Sequence, residues 1–218
     1  MGTKILSLAQ LKGGCGKTTI SSHVAGTLSS RGFKVAAIDG DDPQFSLTNW
    51  FNAGYEKPNL ELAKVSNAEE LIKAIEYFVA NNFDYIVIDL APRLKDITRA
   101  GIAVSDVTVV PVNTDLIEIW ALNQTIELME EAKEKIPGFK YYVMTNKYLA
   151  HNENHQAMRQ GIVDQFGCEL LENSLGQRKA FPDAVGHGVT ISDLNPKTPK
   201  AIQEMDALIN EIISKLDA

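Results

Sequence analysis

The stretch Lys12–Thr19, read KGGCGKTT, has the residue types of a phosphate-binding loop. Its glycines let backbone N–H groups approach phosphate oxygens, because a Cβ atom at those positions would obstruct the turn. Lys17 would reach the terminal phosphates, and the Thr18 hydroxyl would ligate Mg²⁺ at the N-terminus of the helix that follows. We therefore expect a nucleotide to contact the residues of this loop: Gly13, Gly14, Cys15, Gly16, Lys17, Thr18 and Thr19.

Two carboxylates follow apolar runs that have the composition of buried strands. Asp39 follows Lys34–Ile38, and Asp89 follows Tyr85–Ile88. Ligands of parallel α/β sheets bind at the carboxyl ends of the strands, so both carboxylates should face the phosphate loop. A single Asp at a strand end is more often a helix cap, but two of them beside such a loop suit a magnesium nucleotide. We expect the metal site to consist of Thr18, Asp39 and Asp89.

Alternating strand and helix patterns must position these groups. Further strand-like runs follow the first two at Val107–Val112 and Tyr141–Met144, and a short one, Lys4–Leu8, precedes the glycine loop. Helical spacing of apolar residues is found over Thr18–Ser30, Leu116–Lys135, Asn154–Gln165 and Pro199–Leu216. The order predicts one α/β domain over residues 1–218, with a doubly wound, mostly parallel sheet and helices on both faces.

One helix start has a specific local signal. Ser66 and Glu69 have the spacing of a capping box, in which the Ser side chain and the Glu side chain satisfy each other's backbone N–H groups. The helix that follows is expected to bury an apolar stripe that consists of Leu71, Ile72, Ile75 and Val79.

Composition excludes several classes of protein. The net charge of −7 over 218 residues argues against an overall basic nucleic-acid binder, although it permits a local basic patch. Cys15 and Cys168 lack the spacing of a zinc site or a disulfide framework, which is typical of a cytoplasmic protein. No apolar run approaches the roughly 20 residues that a membrane-spanning helix needs.

The sequence resembles a known family at several of these places. KGGCGKTT, with Lys12 ahead of the glycines, resembles the deviant Walker A motif of the ParA/MinD ATPases. Asp42-Pro43-Gln44 is similar to the first switch of plasmid-type ParA proteins, and Val87–Asp89 with Pro92 is similar to their Walker B motif. Asp106–Val112 resembles the next core strand of these proteins, and Gly186–Ile191 resembles their C-terminal signature. The resemblance implies a P-loop ATPase fold with ATP and Mg²⁺ as cofactors.

The resemblance also implies a role for Lys12. In this family the first lysine crosses a homodimer interface and contacts the phosphates of the partner subunit's nucleotide. Two facing triphosphates repel each other, and a lysine from each side would offset that repulsion. Positive charge there would also stabilise the negative charge that develops in phosphoryl transfer. Lys12 and Lys17 are therefore expected to be catalytic, whereas spacing alone would equally allow Lys12 to be a solvated loop residue.

The first switch is one residue longer than the family pattern Asp-x-Asp-Pro-Gln. Counted from the strand, Asp41 occupies the position of the water-activating carboxylate. Counted back from Pro43, Asp42 occupies it. We expect Asp42 to be catalytic, because the proline anchors the turn, with Asp41 as the alternative.

The stretch after Tyr141–Met144 is a candidate base-binding loop. It resembles the Asn-Lys-x-Asp guanine reader of GTPases, but Leu149 replaces the Asp, so guanine N–H donors would lack an acceptor. We expect ATP, with Asn146 pairing with the adenine edge beside Lys147. By the resemblance, Gln177 and Arg178 lie on the other side of the base. A turn without base contact is the alternative.

Partners follow from the resemblance. The ATP-bound dimer would bind DNA without sequence preference, and a ParB-like or adaptor protein would stimulate slow hydrolysis. That cycle would position a plasmid, a chromosome region or a carboxysome-like assembly on the nucleoid, in the cytoplasm. The candidate DNA contacts are Arg178, Lys179, Lys197 and Lys200.

The last helix has one lysine in residues 207–218, so we expect it to face the core and not a membrane.

Other classes of function share parts of these features. A metabolic ATP-dependent enzyme, such as a dethiobiotin-synthetase-like ligase, would need a second catalytic group, and the four histidines show no such spacing. A redox protein like the nitrogenase iron protein would need cysteines after Asp89. A MinD-like membrane-associated ATPase and a non-catalytic adaptor are the remaining alternatives.

Overall fold

A parallel sheet forms the centre of the molecule. The computed structural model describes residues 2–54, 57, 59–93, 96–114 and 116–218, with the backbone only over 116–121. Within these residues six strands pair in the order β3-β2-β4-β1-β5-β6, and every pairing is parallel. The strands are β1 (Lys4–Leu8), β2 (Val35–Gly40), β3 (Leu60–Lys64), β4 (Tyr85–Leu90), β5 (Val107–Asn113) and β6 (Lys140–Asn146).

Helices cover both faces of this sheet. They are α1 (Lys17–Ser30), α2 (Ser46–Ala53), α3 (Ala68–Ala80), α4 (Asp96–Ala103), α5 (Leu116–Lys135), α6 (Glu153–Phe166), α7 (Ala180–Gly186) and α8 (Pro199–Asp217). On one face α1, α2, α7 and α8 contribute to an apolar cluster that includes Ile20, Trp50, Phe181 and Met205. On the other face α3 to α6 contribute to a second cluster that includes Leu71, Ile97, Leu122 and Met158. The doubly wound α/β fold is therefore confirmed.

Strand order places the predicted site residues together. β1 lies between β4 and β5, so the loop that follows β1 emerges beside the carboxyl end of β4. In the register of the sheet Leu8 is opposite Asp89, and Asp39 is also opposite Asp89. The two carboxylates and the glycine loop thus share one edge of the sheet, as the position of each at a strand end predicts.

The start of α3 differs from the predicted capping box. Asn67, not Ser66, is the N-cap, and its side chain accepts the N–H of Glu70 at 2.9 Å. The Glu70 carboxylate in turn accepts the N–H of Ser66 at 2.8 Å. The cap is therefore displaced by one residue to Asn67, which caps helices as well as Ser does, while the Glu side chain bonds the residue before the cap. The buried stripe shifts as well: Leu71, Ile75 and Phe78 are buried, whereas Val79 is 46% exposed.

Several elements lack a clear signal in the sequence. β3 follows β2 across a short helix and pairs at the edge of the sheet, and its polar residues interrupt the apolar pattern. The helices α2, α4 and α7 have eight, eight and seven residues, too few for a sustained helical period.

The core-facing orientation predicted for α8 is confirmed by its buried Met205, Leu208, Ile209 and Ile212. None of the described helices is long and apolar enough to cross a membrane.

Candidate functional site

The glycine loop connects β1 to α1 and encloses an ammonium group. Gly14 and Gly16 have φ values of +79° and +101°, which an L side chain rarely adopts, and Gly16 is the N-cap of α1. Lys17 is only 6% exposed. Its Nζ donates to the carbonyl oxygens of Gln10 at 3.1 Å and Lys12 at 3.4 Å. The loop therefore holds a buried positive charge at the N-terminus of a helix, where phosphate binding is favoured.

Thr18 and Asp89 form the pair expected of a magnesium site. The Thr18 hydroxyl donates to Asp89 Oδ2 at 2.6 Å, and the Ser21 hydroxyl lies 3.4 Å from Asp89 Oδ1. Burial raises the pKa of Asp89 to about 7, opposed by the Thr18 hydrogen bond and the charge of Lys17. A divalent cation would favour the ionised carboxylate. These oxygen donors fit Mg²⁺, which Thr18 would ligate directly with Asp89 behind it.

Asp39 bonds to the switch segment. Its Oδ2 accepts both the N–H and the hydroxyl of Thr48 at 2.8 Å, and its Oδ1 accepts the N–H of Asp41 at 3.2 Å. Asp39 is fully buried. The carboxylate predicted to belong to the metal site therefore also anchors the first turn of α2.

Asp41 and Asp42 lie in the loop between β2 and α2, and both are partly buried. The carbonyl of Asp41 accepts the N–H of Phe45 at 2.8 Å, which closes the loop. The negative charge of Asp41 contributes to the raised pKa of Asp89. The Asp41 carboxylate thus lies within electrostatic range of the metal-site carboxylate. Asp39 acts on Asp89 in the same way, so this effect does not identify the water-orienting group, whereas the position of Pro43 in the motif favours Asp42.

A cavity of about 470 Å³ extends from the glycine loop toward β6. Its lining includes most of the residues predicted to contact the nucleotide: Gly14, Gly16, Thr19, Asn146, Lys147, Gln177 and Arg178. Phe181 and Pro182 of α7 complete the wall. The dimensions and the phosphate loop at one end make this cavity the candidate nucleotide site.

Asn146, at the end of β6, contacts the glycine loop. Its Nδ2 donates to the carbonyl of Cys15 at 2.8 Å, and its Oδ1 accepts the N–H of Lys147 at 2.9 Å. A Cβ on Gly16 would lie 2.3 Å from Asn146 Nδ2, so glycine is required at that position for this contact. The residue predicted to pair with adenine is therefore braced against the phosphate loop.

Arg178 is engaged in an ion pair. Its Nε and Nη2 each donate to Glu204 of α8 at 2.6 Å, and this side-chain hydrogen bond raises the pKa of Arg178. A paired guanidinium is less suited to a DNA phosphate than the sequence suggests. Lys179, Lys197 and Lys200 instead line a shallow surface cavity of about 500 Å³ at the start of α8.

Three further residues support the loop, and sequence reasoning missed them. Thr125 of α5 donates to Gln10 Oε1 at 2.5 Å and accepts the N–H of Leu11 at 3.3 Å. Gln10 Oε1 lies 3.4 Å from the N–H of Lys12, so α5 positions the segment that carries this lysine. Asn113 donates to the carbonyl of Gly14 at 3.3 Å. Only Asn113 has a sequence signal, since it ends a strand of the parallel sheet.

Comparisons with known proteins agree with this geometry. A model of the CobQ/CobB/MinD/ParA nucleotide binding domain matches residues 6–191. The maintenance of carboxysome distribution protein A of Halothiobacillus neapolitanus is 30% identical over 210 residues, which cover 95% of both chains. Protein ParA of Rhizobium radiobacter is 23% identical over 219 residues, which cover 97% of both.

A solved structure shares the fold. It is the complex of ATP with an aspartate-to-alanine variant of Cyanothece McdA, with a TM-score of 0.77 at 18% identity over 96% of both chains. The family match spans the glycine loop, both strand-end carboxylates and the candidate base-binding loops. The ParA/MinD resemblance found in the sequence is thereby confirmed, and the chain belongs to the CobQ/CobB/MinD/ParA family of nucleotide-binding domains.

Proposed function

We propose that this chain is a ParA-type positioning ATPase that acts as a single domain. The observation that carries the proposal is the Thr18–Asp89 hydrogen bond of 2.6 Å, in the segment that also holds the buried Lys17, next to a cavity that Gly14, Gly16, Thr19 and Asn146 line. This arrangement supports binding of a magnesium nucleotide in one orientation. The relatives named for carboxysome distribution and for ParA support positioning as the use of that chemistry.

The roles of the residues follow from their positions. Backbone N–H groups of residues 13–19 would bind the phosphates, and Lys17 would neutralise charge on them. Thr18, with Asp89 behind it, would hold Mg²⁺, which would supply positive charge to the phosphates. Asp41 or Asp42 would orient the attacking water from the loop that Asp39 anchors. Asn146 would bind adenine, with Lys147, Gln177 and Arg178 along the base.

Lys12 would act across a homodimer. Its backbone N–H lies 3.4 Å from Gln10 Oε1, which Thr125 positions, and the residue is partly exposed. In an ATP-bound homodimer this ammonium would contact the triphosphate of the partner subunit. Dimerisation would then depend on the third phosphate, because ADP carries less charge for the lysine to offset.

DNA and a partner protein would complete the cycle. Lys179 and Lys200 are exposed near the start of α8, and a two-fold dimer would double this patch. Phosphate binding there would be sensitive to salt and would place the cytoplasmic protein on the nucleoid. A ParB-like or adaptor protein would stimulate slow hydrolysis, release the dimer and so position a plasmid, a chromosome region or a protein organelle.

Gel filtration with two lysine variants tests the proposal. Wild type, Lys12→Gln and Lys17→Gln are each run with ADP and with a slowly hydrolysed ATP analogue. We expect wild type to become a dimer only with the analogue, Lys12→Gln to bind ADP but remain monomeric, and Lys17→Gln to lose nucleotide affinity. A wild-type monomer with the analogue would overturn the scheme, and a normal Lys12→Gln dimer would overturn the role of that lysine.

A further inference from the structure

The loop that carries Asp41 and Asp42 is attached to α2 as one unit. Asp39 accepts two hydrogen bonds from Thr48 in the first turn of the helix, and Phe45 donates its N–H to the carbonyl of Asp41. The position of α2 therefore determines where this loop presents its carboxylates. The contacts that hold α2 in place are therefore expected to affect the rate of hydrolysis.

The distal half of α2 is fastened to the segment that follows α7. Trp50 Nε1 donates to the carbonyl of Val189 at 3.1 Å. Beyond it the backbones of Gly54 and Gly188 touch: a Cβ on Gly54 would lie 2.1 Å from the Gly188 carbonyl oxygen, and a Cβ on Gly188 would lie 2.2 Å from the Gly54 nitrogen. Lys57 Nζ also donates to the Gly188 carbonyl at 3.1 Å.

The same segment continues into the wall of the nucleotide cavity. Gly188 and Val189 donate their N–H groups to the carbonyls of Val185 and Ala184 in the last turns of α7. At its other end α7 contributes Phe181 and Pro182 to the cavity. The C-terminal stretch Gly186–Ile191 thus lies between α2 and the candidate nucleotide site.

The P-loop helix meets both elements at one glycine. A Cβ on Gly26 of α1 would lie 2.5 Å from Thr190 Cγ2 and 3.3 Å from the Trp50 ring. Trp50 is 1% exposed, so it is packed among α1, α2 and the segment after α7. The helices α1 and α2 and the segment after α7, each with its own contact to the site, therefore all pack against the Trp50 indole.

We propose that Trp50, together with the Gly54–Gly188 contact, is a positioning device for hydrolysis: it fixes α2, and thereby the loop of Asp41 and Asp42, relative to the nucleotide cavity. The inference rests on the proposed ATPase function. Loosening the device displaces a water-orienting carboxylate while the glycine loop, Lys17 and Thr18 keep their own contacts. The hydrolysis step should therefore suffer and nucleotide affinity should not.

Two variants and a matched control test the device. Gly188→Ala adds a Cβ at φ +68° against the Gly54 backbone, and Trp50→Phe removes the N–H donor but keeps an aromatic ring. Gly167→Ala is the control, because Gly167 has φ +62° and nothing lies within 4 Å of its Cβ position. It imposes the same backbone strain far from α2. Single-turnover ATP hydrolysis, ADP affinity and Tm are measured for each.

We expect Gly188→Ala and Trp50→Phe to lower the single-turnover rate about tenfold or more, with ADP affinity within about twofold of wild type. Gly167→Ala should leave both at wild-type values. A folded variant with an unchanged rate, or a loss of ADP affinity equal to the loss of rate, would overturn the proposal. If Gly188→Ala does not fold, Trp50→Phe decides. Absence of hydrolysis by wild type would instead refute the ATPase function.

Discussion

The Thr18 hydroxyl donates a 2.6 Å hydrogen bond to Asp89, although the two residues are 71 positions apart in the chain. The parallel pairing of β1 with β4 produces this contact, because it places Leu8 opposite Asp89 and directs the glycine loop over the end of β4. A hydroxyl that donates its hydrogen to a carboxylate presents its oxygen lone pairs to a cation. The pairing of the strands therefore orients the Thr18 hydroxyl for metal binding.

Neutralising Asp89 should weaken magnesium dependence. Asp89→Asn keeps the shape of the side chain and removes its charge, and groups behind a metal ligand contribute about 10- to 100-fold to metal affinity or activity. We expect the midpoint of a magnesium titration of ATPase activity to rise by that factor. Asp206→Asn, at an exposed carboxylate on α8, is the matched control. An unchanged midpoint in Asp89→Asn would contradict the assignment.

The two switch carboxylates can be separated by substitution. Asp41→Ala and Asp42→Ala are compared for single-turnover hydrolysis and for dimerisation with ATP. The variant without the water-orienting group should hydrolyse at least about 100-fold more slowly and still dimerise, because ATP binding does not require that group. Because Pro43 anchors the turn directly after Asp42, we expect the larger effect in Asp42→Ala. A larger effect in Asp41→Ala would favour the count from the strand.

DNA retention should depend on ATP and on salt. Replacing Lys179 and Lys200 together by Gln removes two charges per subunit from the surface at the start of α8. For each DNA phosphate that the variant no longer neutralises, the slope of log K against log salt concentration should become less steep by about 0.9. Lys73→Gln combined with Lys133→Gln, on α3 and α5 on the opposite face of the sheet, is the charge-matched control. A double variant with the wild-type slope would place the DNA interface elsewhere.

His23 should make stability fall with acidification. Burial lowers the pKa of His23 from 6.5 to about 4, opposed by its hydrogen bond to the Thr19 carbonyl and the charge of Asp193. The unfolded chain therefore takes up a proton below pH 6.5 that the folded chain refuses until about pH 4. This difference in protonation lowers the contribution of His23 to the free energy of unfolding by an amount on the order of 2 kcal/mol between pH 8 and pH 5.

Urea unfolding at the two pH values measures the effect. His23→Asn retains a donor for the Thr19 carbonyl but does not titrate in this range. Between pH 8 and pH 5 we expect wild type to lose on the order of 2 kcal/mol of unfolding free energy relative to His23→Asn. The opposite contribution of Asp89, whose pKa is raised, is common to both proteins and cancels in this comparison. The same pH dependence in both proteins would show that His23 is not the group responsible.

Much of the site was predictable because its signals are local. The glycines before Lys17 and Thr18, the apolar runs before Asp39 and Asp89, and the long periodic helices each depend on neighbouring residues. Local pattern was less decisive at α3, where Ser66 and Asn67 are both residue types that cap helices. Asn67 replaces Ser66 as the cap of α3, and Val79 is exposed where the period of the stripe suggested burial.

The sequence by itself determined that this chain has a phosphate loop followed by a helix, two strand-end carboxylates and a parallel α/β order, since glycine content, charge and apolar period act over a few residues. Tertiary structure decided which distant groups meet. It paired Arg178 with Glu204, braced Asn146 on Cys15 and fastened Trp50 to Val189. Such contacts depend on strand order and helix packing, which bring residues tens to more than a hundred positions apart to hydrogen-bonding distance.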